Sequence, residues 1–241
     1  MIHGESGVGK SWLADTVPAP RLILDAEGRA KYTPSQPKVP WDPKREAPPV
    51  VDGSWETCVV NVTDFETLNL VHQWLRSGQH QFVSCVVDSV MEAQKRCMDA
   101  IAGANQMDQQ DWGELLRRLE SLVRAYRDLT LVNENTMSVV VFVCGSRLRD
   151  GKMQPILQGQ FQDTLPFILD VVGYYFKQQA AGENGATEYV RSLLVDQQPG
   201  FVAKDNTGRL IPAYGPIIPT PNISQLVELL HVNGKPEGVA A

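Results

Sequence analysis

Gly4-Glu5-Ser6-Gly7-Val8-Gly9-Lys10-Ser11 stands almost at the start of the chain and decides how the rest is read. The octet satisfies every fixed position of G-x-x-x-x-G-K-[S/T], the loop that cradles a polyphosphate. Gly4, Gly7 and Gly9 let the backbone bend tightly and approach an anion with no Cβ in the way. The amides of the loop, those of Glu5, Ser6 and Val8 included, then point inward as an anion nest. Lys10 places an ammonium on the β- and γ-phosphates, and Ser11 offers a hydroxyl to Mg²⁺. A helical stretch follows from Trp12, and its N-terminal dipole also favours the anion. Residues Gly4 to Trp12 are therefore the expected nucleotide contacts. A chance match in a chain this long has odds of roughly one in a hundred.

Such a loop should leave a buried strand, yet only Met1, Ile2 and His3 precede it. At about 3.3 Å per residue that strand is a stub, unless the natural start lies upstream. The 241 residues suffice for one sizeable α/β domain, expected over 1–231, with 232–241 as a tail. A hydrophobic share of 43% and a charged share of 21% are ordinary for a soluble globular protein. No apolar run approaches the length of a membrane span, and no secretion signal opens the chain, so no membrane partner is expected. Cys58, Cys85, Cys97 and Cys144 are scattered with no C-x-x-C pair. Reduced, buried and inert thiols in a cytoplasmic protein are the simplest account. The net charge of −6 argues against non-specific nucleic-acid binding by the whole surface, but leaves room for a local basic groove.

Residues 21–28, RLILDAEG, read as the next strand, an apolar run closed by acids and a glycine. Acids at such a strand end sit where open parallel sheets bind ligands. Asp25 and Glu27 share a face if the strand persists. Glu27 then orients or deprotonates a water beside the γ-phosphate, or is simply a solvated strand end. Six prolines between residues 34 and 49 rule out helix and central strand. Residues 32–56 are expected to form a long surface loop, partly disordered. Lys38, Lys44 and Arg45 with Trp41 have the make-up of a nucleic-acid arm, although a solvated loop explains them as well.

A strand over 57–62 and a helix from an Asp64 cap to about Ser77 come next. Residues 82–89, FVSCVVDS, are an apolar run ending in Asp88. A buried strand of this kind delivers a carboxylate beside the phosphate loop, where it holds Mg²⁺ directly or through water. Residues 91–102 read as helix. A longer helix is expected to start at Asp111 or Gly113, with Leu115, Leu116, Leu119, Leu122, Val123, Tyr126 and Leu129 as its apolar stripe. Its Arg117, Arg124 and Arg127 are a solvated face with paired acids, or a DNA or subunit contact. Residues 138–144 are a strand buried on both faces. The segment 145–164 reads as a loop carrying Arg147, Arg149, Lys152, Gln154, Gln158, Gln160 and Gln162. A short helix and a strand follow, then a β pair of 188–195 with 201–204, and a closing helix over 222–231.

Strands and helices alternating after a phosphate loop indicate a parallel-sheet NTPase, mostly parallel with flanking helices and a C-terminal antiparallel extension. Leu-Asp-Ala-Glu places Glu27 directly at the end of the second strand, which resembles RecA-like ATPases. The order GESGVGKS, LILDAEG, VVDS, DWGELLRRLESLVRAYRDL, DGKMQPILQGQFQDTLPFILDVVGYYF and FVAKDNTGRL is similar to phage RecA-like AAA_24-type ATPases, including Sak-type single-strand annealing proteins. The resemblance implies ATP and Mg²⁺ on Lys10, Ser11 and Asp88, and Glu27 as the water activator. It implies Lys204, in Ala-Lys-Asp, as a finger reaching a neighbour's γ-phosphate; a hairpin lysine in water is the bland alternative. It further implies single-stranded DNA on the segment after Cys144, with Arg147, Arg149, Lys152, Gln158 and Gln160 as contacts. A homo-oligomeric ring or filament and a single-stranded-DNA-binding protein complete the implied partners. Two positions depart from the pattern. Gly145-Ser146-Arg147 stands where relatives often carry a His or Gln that senses the γ-phosphate, and Asn206 stands where an Arg often follows Ala-Lys-Asp.

Three function classes follow. The first is an ATPase core acting on single-stranded DNA in recombination, annealing or replication. The second is a nucleotide-dependent switch or assembly ATPase acting on a protein partner, favoured by the acidic charge and the absent sensor. A small-molecule kinase comes third, because it would want an arginine-rich lid that the sequence does not display.

Overall fold

The computed structural model describes residues 1–131, 137–181 and 187–231. In chain order the elements are β1 (Ile2–Gly4), α1 (Lys10–Ala14), β2 (Arg21–Asp25), a 3₁₀ turn (Ala30–Tyr32), β3 (Lys38–Pro40), β4 (Thr57–Asn61), α2 (Phe65–Arg76), β5 (Ser84–Asp88), α3 (Val90–Ala102) and α4 (Gln109–Asp128). There follow β6 (Val139–Arg149), β7 (Lys152–Pro155), α5 (Phe161–Ile168), β8 (Val171–Ala181), β9 (Thr187–Leu194), β10 (Lys204–Asp205), α6 (Leu210–Tyr214), β11 (Ile217–Pro219) and α7 (Ile223–His231). The sheet order is β11-β9-β8-β1-β6-β5-β2-β4-β3, with β10 also paired to β8 and β7 to β6. From β8 to β3 all neighbours run parallel; β9 and β11 are antiparallel additions at the C-terminal end. This is the α/β architecture the phosphate loop and strand pattern predict. The expected tail at 232–241 lies outside the described residues.

The two-residue period of the strands divides the core. Leu22, Leu24, Cys85, Val87, Phe142 and Cys144 face one side, against Leu68, Val71, Leu115, Leu119 and Tyr126 of α2 and α4. Ile23, Val86, Val141 and Val143 face the other, against Leu13, Ala14 and Leu226 of α1 and α7. Both faces being covered, each central strand is apolar throughout. The Tyr126 hydroxyl donates to the Leu68 carbonyl at 2.7 Å and ties α4 to α2. The four cysteines are free and buried, as expected. Among the described residues no helix is long and apolar enough to cross a membrane.

Local chemistry sets the helix ends. Asp64 caps α2 through the Thr67 amide at 2.8 Å, as the sequence predicts. The start of α4 comes earlier than expected, because Asp108 and Asp111 form a reciprocal capping box that holds the turn before Gly113. On its outer face Arg124 pairs with Glu120 at 3.0 Å, and Arg118 pairs with Glu114, the arrangement of a solvated helix face.

Three sequence expectations are corrected. The proline-rich segment is docked and contributes a strand: β3 pairs with β4 at the sheet edge, where a proline costs no ladder bond. Trp41 and Trp55 are buried around Phe82, with ring centroids 6.0 and 6.1 Å away. No basic arm forms there: Lys44 pairs with Asp64, Arg45 with Asp42 at 3.1 Å, and Lys38 donates to the Thr33 carbonyl at 2.7 Å. The segment 145–155 is a β-hairpin of β6 and β7 rather than a loop; Asp150 and Gly151 take the positive φ angles its turn requires. Residues 188–195 do not pair with 201–204. β9 lies between β8 and β11, while Phe201 packs on Tyr174 at 4.9 Å and bridges to Met153.

Candidate functional site

β1 is as short as the sequence predicts, yet it sits in the middle of the sheet between β6 and β8. It delivers Gly4 against β8, where an added Cβ would stand 2.3 Å from the Tyr175 carbonyl oxygen. Gly9 turns the chain into α1 with φ of 99°, a conformation that L side chains rarely adopt. Val8 is buried, whereas Glu5, Ser6 and Gly7 are exposed at the rim. Lys10 bends back over the loop, and its Nζ donates to the Gly4 and Glu5 carbonyls at 2.9 and 2.8 Å. Burial pulls this ammonium below the usual lysine range, while Asp88 and Glu27 act against that. The ammonium is thus held where an anion would enter.

The opposite wall comes from β2 and β5. Their parallel register sets Asp25 beside Asp88, and Asp88 beside Val143 of β6. The strand does not persist to Glu27, so the expectation that Asp25 and Glu27 share a strand face is corrected. Asp25 turns into the bend and accepts from the amides of Glu27, Arg29 and Ala30 at 3.1, 3.0 and 2.8 Å. That clamp presents Glu27. Its Oε1 accepts from the Ser89 hydroxyl at 2.5 Å, and its Oε2 pairs with Arg29 Nε at 3.0 Å. Ser89 also caps α3.

Asp88 is buried, and burial is the main cause that raises its carboxyl to about 6. Glu27 and Asp25 push the same way; the Ser11 hydroxyl and Lys10 oppose. A hydroxyl and a carboxylate are hard oxygen donors of the kind Mg²⁺ takes, together with substrate phosphates. Among the described residues no group of three or more His, Cys, Asp or Glu could hold a metal by itself. A buried carboxylate beside one hydroxyl fits an ion that arrives with its nucleotide.

Lys10, Ser11, Glu27 and Asp88 line one cavity of about 330 Å³. Trp12 and Tyr32 also line it and are 56% and 68% exposed; the Lys31 ammonium lies over the Tyr32 ring, 5.0 Å from its centroid. The position after Cys144 lies in the same wall. Gly145 and Ser146 stand there, and Ser146 Oγ is 2.8 Å from Nδ1 of His3. His3 itself is fully buried and lies behind Ser146, outside the cavity lining.

The structure does not bring Lys204 to this cavity. β10 pairs Lys204 with Val172, whereas the phosphate loop leaves the sheet at Tyr175, about 10 Å further along the strand. Lys204 lies near Asp170 at the other edge of the sheet, and burial lowers its pKa. Arg147, Arg149 and Lys152 are exposed on the β6–β7 hairpin. Arg147 donates to Gln162 Oε1 at 2.9 Å and Arg149 to the same oxygen at 3.4 Å. Gln158 is anchored through its backbone to Gln94, at 2.9 and 3.0 Å, and Gln160 precedes α5.

Sequence reasoning missed Arg29, Ser89, His3 and Arg191. Arg191 of β9 donates from Nε to the Val8 carbonyl at 2.9 Å and props the phosphate loop from outside. Ser89 and Arg29 had a local signal, one next to Asp88 and the other two residues from Glu27; His3 and Arg191 meet their partners only through strand order. Residues 1–207 match the family AAA_24, described as an AAA domain. No curated protein matches the chain.

Proposed function

The chain belongs to the AAA_24 family of AAA domains, and from that premise we propose that it hydrolyses ATP at the Lys10–Asp88 cavity and couples this to single-stranded DNA, in recombination or annealing of the phage type. The observation that carries the chemistry is Glu27, a carboxylate held at both oxygens by Ser89 and Arg29 on the wall opposite Lys10. Held so, Glu27 aligns a water on the γ-phosphorus and takes up its proton as the new P–O bond forms. The bond to the β–γ bridging oxygen breaks, and ADP leaves with the electron pair. Lys10 and the loop amides offset the charge on the phosphates. Mg²⁺ bound with the nucleotide supplies further neutralisation, and Ser11 and Asp88 are the residues that would hold it.

Support for the DNA side is the hairpin that continues β6 out of the cavity wall. It exposes Arg147, Arg149 and Lys152 on a chain whose net charge is −6. Local cations on an acidic body favour a confined phosphate track. Lys204, remote from its own chain's phosphate loop, is assigned to a neighbour's site in a ring or filament. The test is steady-state ATP hydrolysis with and without single-stranded DNA, at low and moderate salt. Stimulation that fades with salt supports the reading. Hydrolysis indifferent to DNA would overturn the DNA assignment and favour a switch or assembly ATPase with a protein partner.

A further inference from the structure

Arg191 reaches the phosphate loop from a part of the fold that does not line the cavity. β8 pairs with β1 only as far as Tyr174, and β9 pairs with β11 only from Ser192 to Leu194. Outside those limits the two strands run on together as a ribbon, with Lys177 opposite Arg191 and Gln179 opposite Tyr189. Opposite residues share a face, and this face continues the one on which Tyr175 and Leu193 join Val8 in the core. Arg191 is therefore aimed along the outer side of the loop. Its backbone is pinned by the Thr220 amide, which donates to the Arg191 carbonyl at 2.8 Å. Its Nε donates to the Val8 carbonyl at 2.9 Å. Its stem lies against Gly9, where an added Cβ would stand 3.2 Å from Nε and 3.7 Å from Cδ.

The Val8 carbonyl and the Gly9 amide belong to one trans peptide unit, so they point in opposite directions. A carbonyl held toward β9 turns the Gly9 N–H toward the cavity, which Gly9 lines and Val8 does not. Among the described residues no group accepts from that N–H. The hold matters because the unit is easy to turn over. Gly9, at a φ of 99°, has no Cβ to oppose the rotation. A unit turned over would set a carbonyl oxygen against an incoming phosphate. Lys10 holds the Gly4 and Glu5 carbonyls from inside the loop. The Val8 carbonyl is held from outside, by Arg191.

We propose that Arg191 is a positioning residue for the phosphate chain: it fixes the Val8–Gly9 peptide unit so that the Gly9 amide is already aimed at the phosphates that ADP and ATP have in common. The proposal rests on the nucleotide reading of the cavity. An amide set in advance needs no reorganisation when the anion arrives. This action is distinct from a direct charge contact. Arg191 is outside the cavity lining, and its Nε is engaged with a carbonyl. Lys177 supplies the comparison: it places an equal charge on the same ribbon face, and among the described residues it makes no bond to the loop.

The experiment is calorimetry of Mg·ADP and of a slowly hydrolysed Mg·ATP analogue on the full chain, on Arg191→Met and on Lys177→Met. Arg191 is exposed, so its replacement by Met keeps a stem over Gly9, removes the donor and uncovers no core. Arg191→Met should weaken both nucleotides alike, by about tenfold, the scale of one hydrogen bond. Lys177→Met should stay within about threefold of wild type, the scale of an exposed charge. Amide ¹H–¹⁵N spectra at saturating nucleotide give a readout that a general loosening would not imitate. Mg·ADP should displace the Gly9 and Ser11 amides of wild type; in Arg191→Met the Gly9 displacement should shrink while that of Ser11 is kept. Equal shrinkage at both amides would make Arg191 a general prop and overturn the proposal. Equal loss of affinity in the two variants would reduce it to charge, and loss confined to the ATP analogue would put Arg191 on the terminal phosphate; either result would overturn it. Unchanged affinity in Arg191→Met would overturn it and leave the nucleotide reading standing. No binding of either nucleotide by wild type would overturn that reading and the proposal with it.

Discussion

Asp88→Asn should make the protein more stable yet less able to use nucleotide, and the gain should depend on pH. Asp88 is 6% exposed at the end of β5. Burial, helped by the Glu27 and Asp25 carboxylates, carries its carboxyl from an ordinary 3.8 to about 6. A carboxyl whose folded pKa lies above its unfolded one holds its proton more tightly in the native state. Its contribution is fully present below pH 3.8 and is lost as pH rises through 6. At about 1.4 kcal/mol per tenfold change in acidity, the loss is about 3 kcal/mol. Asparagine has nearly the same shape, keeps an oxygen that can accept from Ser11, and carries no charge. In chelator and without nucleotide, the variant should match wild type near pH 4 and exceed it by up to about 3 kcal/mol at pH 8. For a chain of this size that is about 6–12 °C in melting temperature. Burial lowers His3 from 6.5 to about 4, so its contribution is present above pH 6.5 and lost as pH falls toward 4. It is common to both proteins and drops out of the difference. Thermal unfolding from pH 4 to 8 is the assay, repeated with Mg²⁺ and ATP. Ligand should then raise the wild type and barely raise the variant. A variant no more stable than wild type at pH 8, or a difference constant across the range, would refute the reasoning.

Glu27→Gln should still bind ATP and hydrolyse it at least about a hundredfold more slowly, measured by phosphate release; unchanged turnover removes Glu27 from the mechanism. Lys204→Ala mixed into wild type should depress ATPase activity by more than dilution alone, and strictly proportional loss would count against action in trans. Gly4→Ala forces a Cβ to within 2.3 Å of the Tyr175 carbonyl. It should cost about 1–3 kcal/mol by overpacking, read as a lower melting temperature together with weaker nucleotide binding.

Much of the site was legible because its parts are local. The phosphate loop is eight consecutive residues whose chemistry does not depend on what surrounds them. Asp88 was legible because an apolar run that ends in an acid must bring that acid to the sheet's edge, and the run is β5. Asp64 was legible as a cap because a cap bonds three residues away. The proline-rich stretch was misread because proline content reports what a segment cannot be. Its docking depends on Trp41 and Trp55 meeting Phe82, which is distant in the chain. The hairpin after Cys144 was read as a loop because its alternation is masked by a run of exposed residues, Arg147 to Lys152.

The sequence by itself determined what stands at the strand ends: a phosphate-loop pattern, an acid that closes β5, a second acid just beyond β2, and strands buried on both faces. These follow from residue type and short-range spacing. Only the tertiary structure decided how that chemistry is held. β6 lies between the strands of Lys10 and Asp88 and so brings Ser146 to the cavity; the β2–β5 register lets Ser89 grip Glu27; β9 reaches Arg191 over to Val8. His3 meets Ser146 across 143 residues of chain and Val202 across 199. The reason is physical: a side chain's partners across the sheet are set by strand order, and strands that neighbour one another in this sheet lie far apart in the chain.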